Sequence, residues 1–197
     1  MFRCCRVLRT QTLWYYSKKK TKRYREQDPV KVAAYLDAIA DIPASRIAYV
    51  DETGIDSYLY REYAYSPKGV PVYGKISGHK YKRIGIVAAQ MDKKIVSPLQ
   101  YEGTMDSALF EMWFGECLLP VLPVNSVIVM DNASFHRKKQ LIPLAEEAGH
   151  SLIFLPPYSP ELNPIESFWS WLKLYLKKIL PFYDSLDNAI RVAFYIN

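Results

Sequence analysis

Val127-Ile128-Val129-Met130-Asp131-Asn132 runs four apolar residues, three of them β-branched, straight into an acid and an amide. Such a run, bounded by turn formers, reads as a buried strand that stops at Asp131. Two further stretches repeat the design. Ile47-Ala48-Tyr49-Val50 leads into Asp51-Glu52-Thr53-Gly54, and Leu152-Ile153-Phe154-Leu155 leads into the rigid loop Pro156-Pro157-Tyr158-Ser159-Pro160. Working outward, a helix is expected over roughly 137–148, with Gly149 as its stop and Pro143 as a misfit inside it. Another is expected from about 164 to 179, with Pro164 near its first turn and Asn163 as a capping residue. A last helix starts near Ser185.

The first half reads differently. Asp28 and Pro29 open a helix over 29–40, in which Val32, Tyr35, Leu36 and Ile39 recur at helical spacing. Strand character follows at 61–65, at 70–73, from Tyr81 to Gln90, and again from Ile95 through 98–101. Asp106 or Ser107 opens a helix with Leu109, Met112, Trp113 and Leu118 on its apolar side, closed by Pro120 and Pro123. Strands first, then helix and strand in alternation, predict an α/β fold whose antiparallel portion leads into a parallel one.

Composition sets the outer limits. The 197 residues are 50% hydrophobic and 14% aromatic, enough for one sizeable core and too apolar for a disordered chain. No apolar run approaches the ~18 residues of a membrane span, so no membrane partner is expected. Cys4, Cys5 and Cys117 are odd in number and lack zinc-site spacing, which fits free thiols in a cytoplasmic protein. The net charge of +6 is unevenly placed: residues 1–46 hold 11 basic and 4 acidic side chains, and residues 47–197 hold 15 and 16. The excess centres on Lys18, Lys19, Lys20, Lys22, Arg23 and Arg25, a strip suited to phosphates or equally to a solvated linker. Lys80, Lys82 and Arg83 form a second basic cluster, interleaved with Tyr81, that suits DNA.

Three acids stand where α/β proteins place chemistry. Asp51 and Asp131 close buried strands, and Glu166 sits in the first turn of the helix after the proline loop. If the two strands are neighbours, all three carboxylates converge, and a divalent cation of the Mg²⁺ or Mn²⁺ type would offset their repulsion. Each acid also has a local reading, as a turn former, an Asx turn or a first-turn acid. Asn132 and His136 follow Asp131 closely. His136 either serves the site, by facing the phosphate or orienting a metal-bound water, or holds the loop by a local hydrogen bond. Alternation along an extended chain turns Glu52 away from Asp51. Phe168, Trp169, Trp171, Leu172 and Leu176 make an aromatic and aliphatic stripe that reads as core.

The blocks Val50-Asp51-Glu52-Thr53-Gly54, Val129-Met130-Asp131-Asn132-Ala133-Ser134-Phe135-His136 and Leu155-Pro156-Pro157-Tyr158-Ser159-Pro160-Glu161-Leu162-Asn163-Pro164-Ile165-Glu166 resemble the catalytic motifs of DDE transposases. The bacterial insertion-sequence branch of the Tc/mariner superfamily is the most similar, and the 34 residues between Asp131 and Glu166 suit it. The resemblance covers residues 18–197. It implies a ribonuclease-H-like mixed sheet flanked by helices, with two Mg²⁺ (or Mn²⁺) ions held by Asp51, Asp131 and Glu166, and Asn132, His136 and Asn163 in support. It implies DNA strand cleavage and strand transfer at element ends and a TA-containing target, by a homodimer acting in the cytoplasm on the nucleoid. The alternatives are a catalytically silent DNA-binding remnant and a ribonuclease-H-like nuclease without strand transfer. By the same resemblance, residues 1–28 are the remnant of a helix-turn-helix module plus a basic linker, and 29–197 are the catalytic domain. The rest of the DNA-reading part is then expected to be encoded separately or lost.

Overall fold

The computed structural model describes residues 24–56, 65–73 and 83–195. Helix α1 (Pro29–Ile39) precedes strand β1 (Ile47–Asp56), followed by β2 (Arg83–Met91), β3 (Lys94–Glu102) and α2 (Ser107–Met112). Then come β4 (Val127–Met130), α3 (Lys138–Glu147), β5 (Ser151–Phe154), α4 (Ile165–Ile179) and α5 (Leu186–Tyr195). The strands form one sheet in the order β3-β2-β1-β4-β5. β1, β2 and β3 pair antiparallel, whereas β4 lies parallel to β1 and β5 parallel to β4. The antiparallel portion leading into a parallel one is what the element order predicts, and the mixed sheet with flanking helices is the ribonuclease-H-like architecture that the resemblance implies.

Alternation along β1 and β2 divides the core into two layers. Ala48, Val50, Val87 and Ala89 face α2 and α3, packing on Phe110, Trp113, Phe114 and Leu141. Ile55, Ile84, Ile86 and Ala88 face α4 and α5, packing on Ile165, Trp169, Leu172 and Ile190. α1 covers the β4 end of that second face through Tyr35, against Ile47, Val129 and Leu155. Asp28 caps α1 by accepting from the N–H of Val30 at 3.0 Å, with Pro29 in the first helical position.

Local departures from the sequence reading have physical causes. Residues 70–73 are not a strand. Ser66 Oγ donates to the Val70 carbonyl at 2.6 Å, the Val70 N–H returns to the Pro67 carbonyl, and Pro71 lacks the N–H that a ladder needs. Of the strand expected at 61–65 only Tyr65 is described, outside any strand, and the start of the one at Tyr81 lies outside the described residues. The helix opened by Asp106 widens into a π-helical turn over Trp113–Leu118. Phe110 is buried and Met112, the last residue before the turn, is 39% exposed, and the wider turn changes the phase beyond it, where Trp113, Phe114 and Leu118 are all buried. α3 runs through Pro143 without ending. Ser97, with φ 49°, is the extra residue of a bulge in β3, and its carbonyl accepts the indole N–H of Trp113 at 2.8 Å.

Among the described residues no helix is long and apolar enough to cross a membrane. Cys117 is a free, half-buried thiol, and Cys4 and Cys5 lie outside the described residues.

Candidate active site

β1 and β4 pair in parallel through Ile47–Tyr49, with Tyr49 opposite Val129. Two residues further along each chain stand Asp51 and Asp131. Asp131 follows the last residue of β4, as the sequence predicts. Asp51 does not close its strand, because β1 continues to Asp56 through its pairing with β2. It lies just past the end of the parallel pairing, on the face covered by α4. α4 carries Glu166 in its first turn, and Ile165, Phe168, Trp169, Leu172 and Leu176 press that helix onto the sheet. Lys177 and Lys178 in its last turn complement the helix dipole.

The three acids line one cavity of about 500 Å³. Its wall is Leu155, Pro156 and Pro157, and Tyr24 and Tyr158 stand beside it with ring centroids 6.1 Å apart. Tyr158 sits at φ 58°, a conformation that a non-glycine residue adopts at a cost and that turns its ring outward. Gln27 donates to Ser159 Oγ at 2.8 Å and to Glu161, which fastens the segment before α1 to the proline loop. Among the described residues no lysine or arginine lines this cavity.

The crowding of carboxylates shows in Asp51. Burial, then the negative charges of Glu166 and Glu52, push the Asp51 carboxyl up to about 8, against the hydrogen bonds it accepts from the Glu52 backbone and from Trp169. The indole N–H of Trp169 donates to Asp51 Oδ2 at 3.0 Å. Asp131 is shifted the other way. Its hydrogen bond from His136 lowers it, against burial, with help from the Ala133 N–H at 3.0 Å and the charge of His136. The Ala133 contact is the Asx turn of the local reading, so Asp131 holds its own loop as well as lining the cavity.

His136 is buried, with its Nδ1 3.0 Å from Asp131 Oδ1 and its Nε2 3.1 Å from Glu52 Oε1. Burial opposes its charge, but the hydrogen bonds to the two carboxylates and their negative charges outweigh it and raise His136 to about 9. Of the two readings of His136, the loop-holding one matches this placement. Glu52 points to the face opposite Asp51, as alternation predicts, and meets His136 there. The bridge Glu52–His136–Asp131 thus joins β1 to the loop after β4 beyond their last backbone pairing. Arg137 adds a bidentate pair to Glu111 on α2, which fixes the far end of the loop.

Asn132 is exposed on the cavity rim. Asn163 is buried but does not cap α4. Its side-chain amide donates to the Val50 carbonyl at 3.4 Å, and Pro164 holds the capping position. Arg83 begins β2 with its guanidinium over Gly54, beside a second cavity on the Glu52 face and away from the three acids. Arg25 is exposed next to Tyr24, whereas Lys18, Lys19, Lys20, Lys22, Arg23, Lys80 and Lys82 lie outside the described residues. Trp171, assigned to the core stripe, is 39% exposed and stacks on Tyr175. Two features of the site escaped the sequence reading. Trp169 lies one helical turn beyond Glu166, and that spacing was its only signal. The contact between Glu52 and His136 spans 84 residues and left none.

Asp51, Asp131 and Glu166 offer hard oxygen donors, with His136 the cation beside Asp131, and carboxylate oxygens are the donor chemistry that magnesium and manganese prefer. Among the described residues no group of three His, Cys, Asp or Glu side chains is arranged to hold a metal ion, and the three carboxylates line a shared cavity.

The family model of the DDE superfamily endonucleases matches residues 46–188, which includes all three acids. The chain belongs to the DDE superfamily endonuclease family. Its fold is that of the Mos1 transposase in a paired-end complex with left transposon end, at a TM-score of 0.70 and 15% identity, covering 91% of this chain and 58% of that one. A Mos1 paired-end complex with Mn gives 0.65 at 14% identity over 93% and 58% of the two chains, and a companion complex holds Mg. The isolated catalytic domain of Mos1 mariner transposase gives 0.54 at 14% identity over 91% and 83%. In sequence, an uncharacterized protein of Sinorhizobium fredii (y4pE/y4sA) is 38% identical over 50 residues, 25% of this chain and 34% of that protein. This DDE chain therefore spans about 58% of the length of the Mos1 chains in the paired-end complexes.

Proposed function

We propose that this protein is the catalytic part of a transposase, cutting DNA at the ends of a mobile element and joining the freed ends to a target. The observation that carries the reading is that Asp51, Asp131 and Glu166 line one cavity into which no lysine or arginine among the described residues reaches. Asp51, Asp131 and Glu166 would hold two divalent ions, magnesium or manganese, which polarise the phosphodiester and the attacking oxygen for in-line displacement.

The remaining work falls to the chain itself. Trp169 and the Glu52–His136 pair hold two of the acids from behind, so the carboxylates present fixed oxygens to the cavity. Leu155 and Pro156 give it a dry, rigid wall, and the proline loop sets where α4 begins. No side-chain nucleophile is needed, because water and then the freed 3′-hydroxyl attack phosphorus directly. Residues 29–197 form the catalytic domain in this reading. Residues 1–28 form an arm whose Lys18–Arg25 strip holds DNA phosphates, aided by Lys80, Lys82 and Arg83. A homodimer acting at a TA-containing target completes the proposal.

The test uses duplexes built from the DNA flanking the gene, incubated with the full chain and Mg²⁺. Free 3′-hydroxyl ends followed by products joined to a second duplex are expected. Cleavage without joining would reduce the protein to a nuclease, and DNA binding without cleavage would make it a binding protein only.

A further inference from the structure

We infer that Trp169 is a positioning residue for Asp51, fixing the orientation in which its carboxylate presents free lone pairs to a divalent cation. The inference rests on the metal-dependent reading above and names the residue that prepares the site.

Trp169 is 1% exposed, with its ring packed at 5.2 Å against Phe168 in the core layer between the sheet and α4. A buried indole N–H must find an acceptor, and this one gives its single hydrogen to Asp51 Oδ2 rather than to a backbone carbonyl. Indole donates only. It can hold a carboxylate oxygen but can neither ligate a cation nor exchange a proton with the acid. With the indole on Oδ2 and the Glu52 backbone N–H also donating to this carboxylate, its orientation is fixed and its remaining lone pairs are those left to the cavity that Asp51 lines.

The placement on α4 adds a second consequence. Trp169 stands three residues after Glu166, on a neighbouring position of the same helical face. One helix therefore contributes one acid and tethers another, and the distance between Asp51 and Glu166 is set by α4 as a rigid body. Outer contacts of this kind orient metal ligands, and their removal typically costs about 10–100-fold in metal affinity.

The experiment is calorimetric titration of the full chain with Mn²⁺, paired with thermal unfolding in chelator. Trp169→Phe removes the donor, and replacing Trp169 by benzothienylalanine removes it while keeping the ring size. Phe168→Leu perturbs the same core without touching an acid. Mn²⁺ affinity is expected to fall about tenfold in both Trp169 variants and to stay within about twofold in Phe168→Leu, whatever each does to unfolding. A benzothienylalanine protein with wild-type affinity would overturn the role of Trp169 alone. A wild-type protein that binds no Mn²⁺ would overturn the metal reading, and this inference with it.

Discussion

Replacing Asp51 by Asn should stabilise the metal-free protein at neutral pH. Burial and two neighbouring carboxylates raise Asp51 from 3.8 to about 8. The folded state thus holds this proton more tightly than the unfolded chain does. Stability falls as pH rises from about 4, and levels off above about 8. At pH 7 roughly three units of that interval have been crossed, at about 1.4 kcal/mol each, so Asp51 costs the fold about 4 kcal/mol. An Asn oxygen can still accept from Trp169, but the amide brings donors into a half-buried spot at a cost of about 1–2 kcal/mol. The net gain for Asp51→Asn is about 2–3 kcal/mol at pH 7, reversing to a small deficit near pH 4. Urea unfolding in chelator at pH 4.5, 7 and 8.5 measures it. Saturating Mg²⁺ should then stabilise wild type and leave Asp51→Asn nearly unchanged. A gap between the two proteins that does not move with pH would refute the account of Asp51 as an acid kept under electrostatic strain.

Other perturbations test separate links. His136, raised to about 9, contributes stability that is complete below about 6.5 and disappears as pH climbs through 9. His136→Gln should flatten that decline, about 3 kcal/mol in all, in unfolding measured from pH 6 to pH 10. Leu172, fully buried between α4 and the sheet, should cost about 2–5 kcal/mol on Leu172→Ala in urea unfolding. Neutralising Lys18, Lys19, Lys20, Lys22, Arg23 and Arg25 together should weaken DNA binding. The slope of log affinity against log salt should flatten by about 0.9 for each phosphate that the protein no longer neutralises, read by fluorescence anisotropy.

The sequence reading succeeded where the physics is local. Val127–Met130 announces its strand because four apolar residues end abruptly in Asp131. α4 announces itself because Ile165, Phe168, Trp169, Leu172 and Leu176 share one helical face. The three acids were legible because each sits at or near the end of such an element. Long-range contacts left no such trace. Nothing near Glu52 in the chain points to His136, and only the β1–β4 register brings them together. Asp51 looked like the end of its strand because Glu52, Thr53 and Gly54 resemble a turn, yet β2 pairs with all of them. The π-helical turn after Met112 broke a periodicity that sequence arguments take as constant. Asn163 has the composition of a cap, but a buried backbone carbonyl at Val50 takes its amide instead.

The central claim is that Asp51, Asp131 and Glu166 act together in cutting DNA with divalent metal. Relaxation of supercoiled plasmid by the full chain tests it most directly, with Mn²⁺ or with chelator, for wild type and for Asp51→Asn, Asp131→Asn and Glu166→Gln separately. The account predicts metal-dependent nicking by wild type and a drop of about a hundredfold or more in every variant, with each variant still folded (about 3 kcal/mol of barrier). Nicking that persists in chelator, or that survives the replacement of any one of the three acids, would contradict it.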